Sequence, residues 1–111
     1  MSKQFNSKLM LTIGAQIRKL REDEGLPLRK VAAELDIDQS ILSKIERGER
    51  KASKDQIIQI ANIFCVNEKE LLINYLSDKL LYELIDEDLA VDALKVAEKK
   101  IKYVTNNRND K

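Results

Sequence analysis

Residues 28–48 read LRKVAAELDIDQSILSKIERG, and this stretch decides the fold. Apolar side chains recur here three, four and seven positions after the first, which is the spacing of one helix face. They are Leu28, Val31, Ala32 and Leu35. The next three residues interrupt this spacing, and the last of them, Asp38, is of a type that caps helices. A second short helix follows, with Leu42 and Ile45 directed inward and Gly48 at its end.

The composition favours a helical, globular chain. Its 111 residues are 43% hydrophobic and 35% charged, with only 3 Gly and 1 Pro to form turns. Lys, Glu, Leu, Ile and Ala dominate, and most of these residue types stabilise helices. The length suits one domain, or one domain with an appendage. We therefore expect an all-α fold.

The sequence argues against a disulfide, a metal or cofactor site, enzymatic activity and a membrane span. A single cysteine, Cys65, excludes an intramolecular disulfide. Because the chain has no His, no Gly-rich phosphate loop and no nucleophile motif, we expect no metal, no cofactor and no enzymatic activity. There is no apolar leader and no run of about 18 apolar residues, so we expect a cytoplasmic protein.

Charge is separated along the chain, although the net charge is only +1. Five bases oppose two acids in residues 39–54, one base opposes six acids in residues 76–94, and six bases oppose two acids in residues 95–111. The first basic stretch begins in the second short helix, whose outward residues are Gln39, Ser40, Ser43 and Lys44. Polar side chains of this kind suit a helix that lies in the major groove of DNA.

Residues 25–48 resemble the helix-turn-helix of lambdoid phage repressors and Cro proteins, the XRE family. The matching residues align without a gap and are Gly25, Leu26, Val31, Ala32, Leu35, Ile37, Ser43, Ile45, Glu46, Arg47 and Gly48. The likeness continues through Ser53, Ile57, Ile60, Ala61, Glu70, Leu71 and Leu72, and so covers residues 12–73. The resemblance implies a five-helix domain that binds operator DNA, usually as a dimer.

Local signals place the helices of such a domain. The expected bounds are residues 12–24 for helix 1, a start at Pro27 for helix 2, about residues 38–47 for helix 3, and starts at the caps Ser53 and Asn67 for helices 4 and 5. We divide the chain into a DNA-binding domain, residues 1–75, and a C-terminal extension, residues 76–111. The extension is expected to form one or two further helices.

The resemblance also assigns roles to individual residues. Three fall at base-facing positions of helix 3, namely Gln39, Ser40 and Lys44. Six are expected at phosphates, namely Arg29, Ser43, Arg47, Arg50, Lys51 and Lys54. For the three base-facing residues the simpler alternative is a solvated helix face, and for the phosphate candidates it is a surface charge run that only keeps the protein in solution. Ile41 either touches a thymine methyl group or packs in the core, and a buried Arg21–Glu46 ion pair is expected to position helix 3.

Two departures from the family bear on how the domain would dock on DNA. Pro27 and Leu28 stand where relatives have a small cap residue and a Gln that commonly contacts the DNA backbone. We expect Arg29 to take over that phosphate contact. Asp36 replaces the turn glycine, and aspartate tolerates a left-handed conformation better than most residues.

The C-terminal third carries apolar residues at helical spacing. Those expected to pair with a second copy are Leu76, Leu80, Leu84, Val91, Leu94 and Ile101. The alternative is that these residues only cover the core of their own domain. The acidic residues 86–88 are expected to break or bend the chain between two apolar segments.

These features predict a sequence-specific transcriptional regulator, most simply a repressor, which reads a pseudo-palindromic operator as a homodimer. Small members of the family include phage repressors, antitoxins and controllers of restriction–modification genes, and the likeness favours a restriction–modification or mobile-element setting. The alternative is an antitoxin or another protein-interaction module whose DNA binding is autoregulatory. A tail that folds onto a toxin should be polar and aperiodic, whereas residues 76–104 are apolar and periodic.

Overall fold

Every regular element of the described chain is an α-helix. The computed structural model describes residues 11–109. The helices are α1 Ile13–Asp23, α2 Leu28–Glu34, α3 Gln39–Glu46, α4 Lys54–Phe64, α5 Glu68–Leu84 and α6 Ala90–Asn109. The predicted all-α class is confirmed, and the described residues contain the five expected helices and one further C-terminal helix, α6. Among the described residues, none of the helices combines the length and apolar character that a membrane crossing needs.

The core is one apolar cluster contributed by α1 to α5. Its members are Ile17, Val31, Ala32, Leu35, Leu42, Ile45, Ala52, Ile57, Ile60, Ala61, Phe64, Leu71 and Tyr75. Leu28, Ile13 and Leu20 pack at the edge of this cluster and are only half-buried. The apolar spacing in the sequence therefore identifies the inward faces of the first four helices.

The helix starts follow local capping signals, with two differences from the prediction. The Ser53 hydroxyl accepts the Gln56 backbone N–H, and the Gln56 side chain accepts the Ser53 N–H, which completes a capping box on α4. Asn67 Oδ1 accepts a backbone N–H at 2.9 Å at the start of α5. Asp38 is the N-cap of α3 but makes no side-chain cap hydrogen bond. Pro27 is the N-cap of α2, one position before the helix.

Tight turns after the helices use left-handed backbone conformations. Asp36 has φ 57°, which is the conformation expected where relatives have glycine. Gly25 and Gly48 have φ 67° and 77°. Cys65, at the end of α4, has φ 54°, a turn that its residue type does not predict.

One glycine sets the distance between α1 and α3. A Cβ atom on Gly14 would overlap the carbonyl oxygen of Ile45 and lie 2.7 Å from the carbonyl oxygen of Glu46. Such distances are too short for any side chain, so glycine is required although it weakens a helix interior. The C-terminal end of α3 therefore rests directly on the backbone of α1.

The inner face of α5 is partly polar and binds the start of α1. Asp78 Oδ2 accepts the Ile13 backbone N–H at 2.7 Å, and Asn74 Nδ2 donates to Gln16 Oε1 at 2.6 Å. Asp78 is one of the six acids counted in residues 76–94, and its side chain is buried. The partial positive charge at the start of a helix favours a carboxylate in this position.

The chain divides into two compact units between Lys79 and Leu80. This division lies inside α5, a few residues after the boundary drawn from sequence at residue 75. In the second unit, the end of α5 is followed by acidic residues and then α6, and no described residue is buried. Leu76 is 49% exposed and Leu80 is 50% exposed.

Candidate nucleic-acid interface

The outer face of α3 is polar. Gln39, Ser40 and Lys44 are exposed, while Leu42 and Ile45 on the opposite face are buried in the core. Within residues 11–109, no side-chain hydrogen bond or ion pair involves any of the three exposed residues. Their donors and acceptors therefore remain available to another molecule.

Two residues lie at the border of this face. Ile41 is half-buried and packs against the core cluster, which is the core alternative weighed for it from sequence. Ser43 is also half-buried, and its hydroxyl accepts a hydrogen bond from Arg47 Nη1. Both residues thus have partners inside the protein.

A buried ion pair attaches α3 to α1. Arg21 Nε donates to Glu46 Oε2 at 2.8 Å and Nη2 donates to Oε1 at 3.0 Å, with the two side chains only 12% and 4% exposed. Arg21 Nη1 also donates to the Leu26 carbonyl oxygen at 2.9 Å. The hydrogen bonds with Glu46 raise the pKa of Arg21 against the opposing effect of burial. The pair implied by the resemblance is therefore present, and it joins α1, the following turn and α3.

A second ion pair lies at the exposed end of α3. Arg47 Nε donates to Glu49 Oε2 at 3.0 Å, and Nη2 donates to Oε1 at 3.1 Å. Chiefly through these hydrogen bonds, Glu49 raises the pKa of Arg47 and Arg47 lowers the pKa of Glu49. Two of the residues predicted at phosphates, Ser43 and Arg47, are thus bound to each other, and Arg47 is also bound to an acid. The Arg47–Glu49 ion pair was not predicted from the sequence, because helical contacts are expected between residues three or four positions apart and not two.

The remaining candidates for phosphate contact are exposed cations. They are Arg29, Arg50, Lys51 and Lys54, and none has an ion-pair partner in the described part of the chain. The loop before α4 is held at Ala52, which is buried and whose carbonyl oxygen accepts the Tyr75 hydroxyl at 3.0 Å. This anchor on α5, which the sequence did not reveal, holds the backbone beside Arg50 and Lys51.

Comparison with known proteins agrees with this arrangement. A family model described as helix-turn-helix matches residues 17–71. The control protein C.BamHI of Bacillus amyloliquefaciens is 33% identical over 69 residues, which span 61% of this chain and 85% of that protein. The chain belongs to the XRE-like helix-turn-helix family. Members of this family are DNA-binding regulators of transcription.

Two crystal structures of a helix-turn-helix regulator have the same helical fold. Both are of the clp gene regulator ClgR from Corynebacterium glutamicum. One gives a TM-score of 0.51 at 26% identity and covers 60% of this chain and 86% of that chain. The other gives a TM-score of 0.52 at 23% identity, covers 83% and 84%, and bears on the fold alone.

Proposed function

We propose that this helix-turn-helix protein is a sequence-specific cytoplasmic repressor that reads a pseudo-palindromic operator as a homodimer, with α3 in the major groove. The exposed face of Gln39, Ser40 and Lys44 carries this proposal, because it lies on a helix fixed from behind by the Arg21–Glu46 ion pair. Base readout needs free donors and acceptors on a rigid element, and this face provides both.

The three residues on this face have distinct roles in the proposal. Gln39 binds an adenine edge with two hydrogen bonds, and Lys44 donates to the O6 and N7 atoms of guanine. Ser40 is small enough to bond either base edge. Each good base contact contributes about 1–3 kcal/mol of discrimination against the wrong base pair.

The cations around α3 set the position of the protein on the DNA backbone. Arg29 on α2, Arg50 and Lys51 in the loop, and Lys54 at the start of α4 contact phosphates directly. Arg47 does so by exchanging Glu49 for a phosphate, and Ser43, which accepts a hydrogen bond from Arg47, does so beside it. Such contacts give affinity and register without reading sequence, and each steepens the loss of affinity with salt.

Repression follows from occupancy, since an operator covered by the protein is closed to other DNA-binding proteins. The name of the Bacillus amyloliquefaciens relative, a control protein, supports a role in gene control. The restriction–modification or mobile-element setting rests on the family likeness alone.

The exposed apolar residues of α5 and α6 support the homodimer. Leu76, Leu80, Val91 and Ile101 are each about half exposed or more. The antitoxin alternative predicts a polar, aperiodic tail, whereas α6 is a continuous helix over Ala90–Asn109. We therefore favour pairing with a second copy over capture of a toxin.

Selection of bound sequences from random DNA duplexes tests the proposal. We expect a pseudo-palindromic consensus to emerge. Lys44→Ala should relax the preference at one position in each half-site, whereas Lys51→Ala, a matched loss of one positive charge, should weaken binding to all sequences alike. If both variants keep full affinity and the same consensus, α3 is not the reading helix.

A further inference from the structure

The loop between α3 and α4, residues 47–53, carries two exposed cations in its middle, Arg50 and Lys51. At one end the loop backbone bonds to the last turn of α3, and at the other end it bonds to the capping box of α4. Between these ends, one hydrogen bond within residues 11–109 reaches the loop backbone. The Tyr75 hydroxyl donates it to the Ala52 carbonyl oxygen at 3.0 Å.

Both partners in this hydrogen bond are buried in the first unit. Tyr75 is 7% exposed and Ala52 is 6% exposed, and both belong to the apolar core. The ammonium group of Lys79 lies 4.8 Å from the centre of the Tyr75 ring, so the ring is held by a cation–π contact as well as by the core. A buried carbonyl oxygen that loses its donor is left without a partner, and the loop backbone would then shift to find one.

The position of this backbone bears on DNA binding because of the two cations beside it. A cation on a mobile loop has to be ordered when it meets a phosphate, and that cost lowers the affinity, whereas a loop that is already fixed avoids the cost. Phosphate contacts supply affinity without reading sequence. Tyr75 is buried and does not reach DNA itself, so any effect it has on binding passes through the loop.

We propose that Tyr75 is a positioning residue for DNA-backbone binding, whose hydroxyl fixes the loop so that Arg50 and Lys51 meet phosphates without further ordering. This inference rests on the proposed function and adds to it a residue that sets affinity and leaves base reading by α3 unchanged. Tyr75 lies beyond residues 17–71, the part of the chain that matches the helix-turn-helix family model.

DNA titrations of Tyr75→Phe test this role, because the substitution removes the hydroxyl and keeps the ring. We expect affinity for the selected duplex to fall about three- to tenfold with the consensus unchanged. The slope of log affinity against log salt should become shallower by about 1, as for the loss of one phosphate contact. An affinity and a salt slope equal to those of the parent overturn the proposal.

Asn74→Ala is the matched control on the same helix. Asn74 is also buried, but its side chain donates to Gln16 on α1 and not to the loop. At a temperature where circular dichroism shows every variant folded, Asn74→Ala should keep the affinity and salt slope of the parent. If it loses as much affinity as Tyr75→Phe, the effect is general destabilisation and the positioning role is wrong.

A double-mutant cycle tests whether Tyr75 acts through the two cations. In an Arg50→Ala/Lys51→Ala background, we expect Tyr75→Phe to change affinity less than twofold, because the groups that it positions are gone. A loss as large as that in the parent background overturns the proposal.

Nuclear magnetic resonance relaxation of the free protein tests the loop itself without DNA. In the parent, we expect the backbone order parameters of residues 50–52 to be near the value of about 0.85 for rigid backbone, and in Tyr75→Phe to fall toward about 0.6. Unchanged order parameters overturn the positioning role and leave the proposed function intact. A parent protein that selects no DNA sequence overturns the proposed function instead, and the order parameters then report on the loop alone.

Discussion

At Gly14 the backbones of α1 and α3 are too close for a Cβ atom to fit between them. Replacing an ordinary glycine inside a helix by Ala raises the free energy of unfolding by up to about 1 kcal/mol. Here the added Cβ would meet the Ile45 and Glu46 carbonyl oxygens, so we expect Gly14→Ala to lower the free energy of unfolding by about 1–3 kcal/mol. Urea unfolding followed by circular dichroism measures this, and a stabilised variant would contradict the close approach.

The Arg21–Glu46 ion pair makes a second prediction about a single residue. Arg21→Met leaves a buried carboxylate without its partner, so we expect the free energy of unfolding to fall by about 3–5 kcal/mol. The double variant Arg21→Met/Glu46→Leu removes both charges and should recover much of that loss. Thermal unfolding of the parent, the single variant and the double variant checks this. A double variant no more stable than the single variant would contradict the cost of burying the Glu46 carboxylate without its partner.

Glu49 limits the contribution of Arg47 to DNA binding if our proposal holds. Glu49→Gln frees the guanidinium from its acid and removes one negative charge near the phosphates, so we expect several-fold tighter binding to all sequences. The slope of log affinity against log salt should steepen by about 1, which corresponds to one more neutralised phosphate. In an Arg47→Ala background the gain from Glu49→Gln should largely disappear. Salt titrations by fluorescence anisotropy measure both quantities.

At the scale of elements, α5 connects parts of the first unit that are distant in sequence. Its buried face supplies Asp78 to the start of α1 and Tyr75 to the loop before α4. We expect Asp78→Ala to lower the free energy of unfolding by about 1–2 kcal/mol, because the first N–H groups of α1 lose a carboxylate acceptor. Asp86→Ala, the matched change at an exposed acid, should stay within about 0.5 kcal/mol of the parent. If chemical denaturation gave the same free energy of unfolding for Asp78→Ala and Asp86→Ala, Asp78 would not be a cap of α1.

At the scale of the whole molecule, a twofold dimer fixes the spacing of the two DNA half-sites. Recognition helices of related motifs lie about 34 Å apart, which is one turn or about 10 base pairs of DNA. Inserting five base pairs between the selected half-sites places them on opposite sides of the duplex, and we expect affinity to fall at least tenfold. Gel-shift titrations measure this, with an isolated half-site duplex as the reference. An unchanged affinity would mean that single protein copies bind independently.

Local patterns predict the elements of this protein well. The spacing of Val31, Leu35, Leu42 and Ile45 identifies two short helices and their inner faces, and all four residues are in the core. Capping at Ser53 is read from its residue type, because the groups that form the cap are close in sequence. The Arg21–Glu46 pair was expected only through resemblance to a family, because no local rule connects residues 25 positions apart.

The sequence alone determined the helical class, the helix-turn-helix and the polar face of α3, since each depends on the few residues within one or two turns. Three contacts became known only from the tertiary structure. The backbone of α3 packs directly on Gly14, the Asp78 carboxylate caps α1, and Glu49 forms an ion pair with Arg47. These contacts depend on distances across packed helices or around a helix end. Periodicity and residue type carry no information about such distances, because the chain defines them only when it has folded.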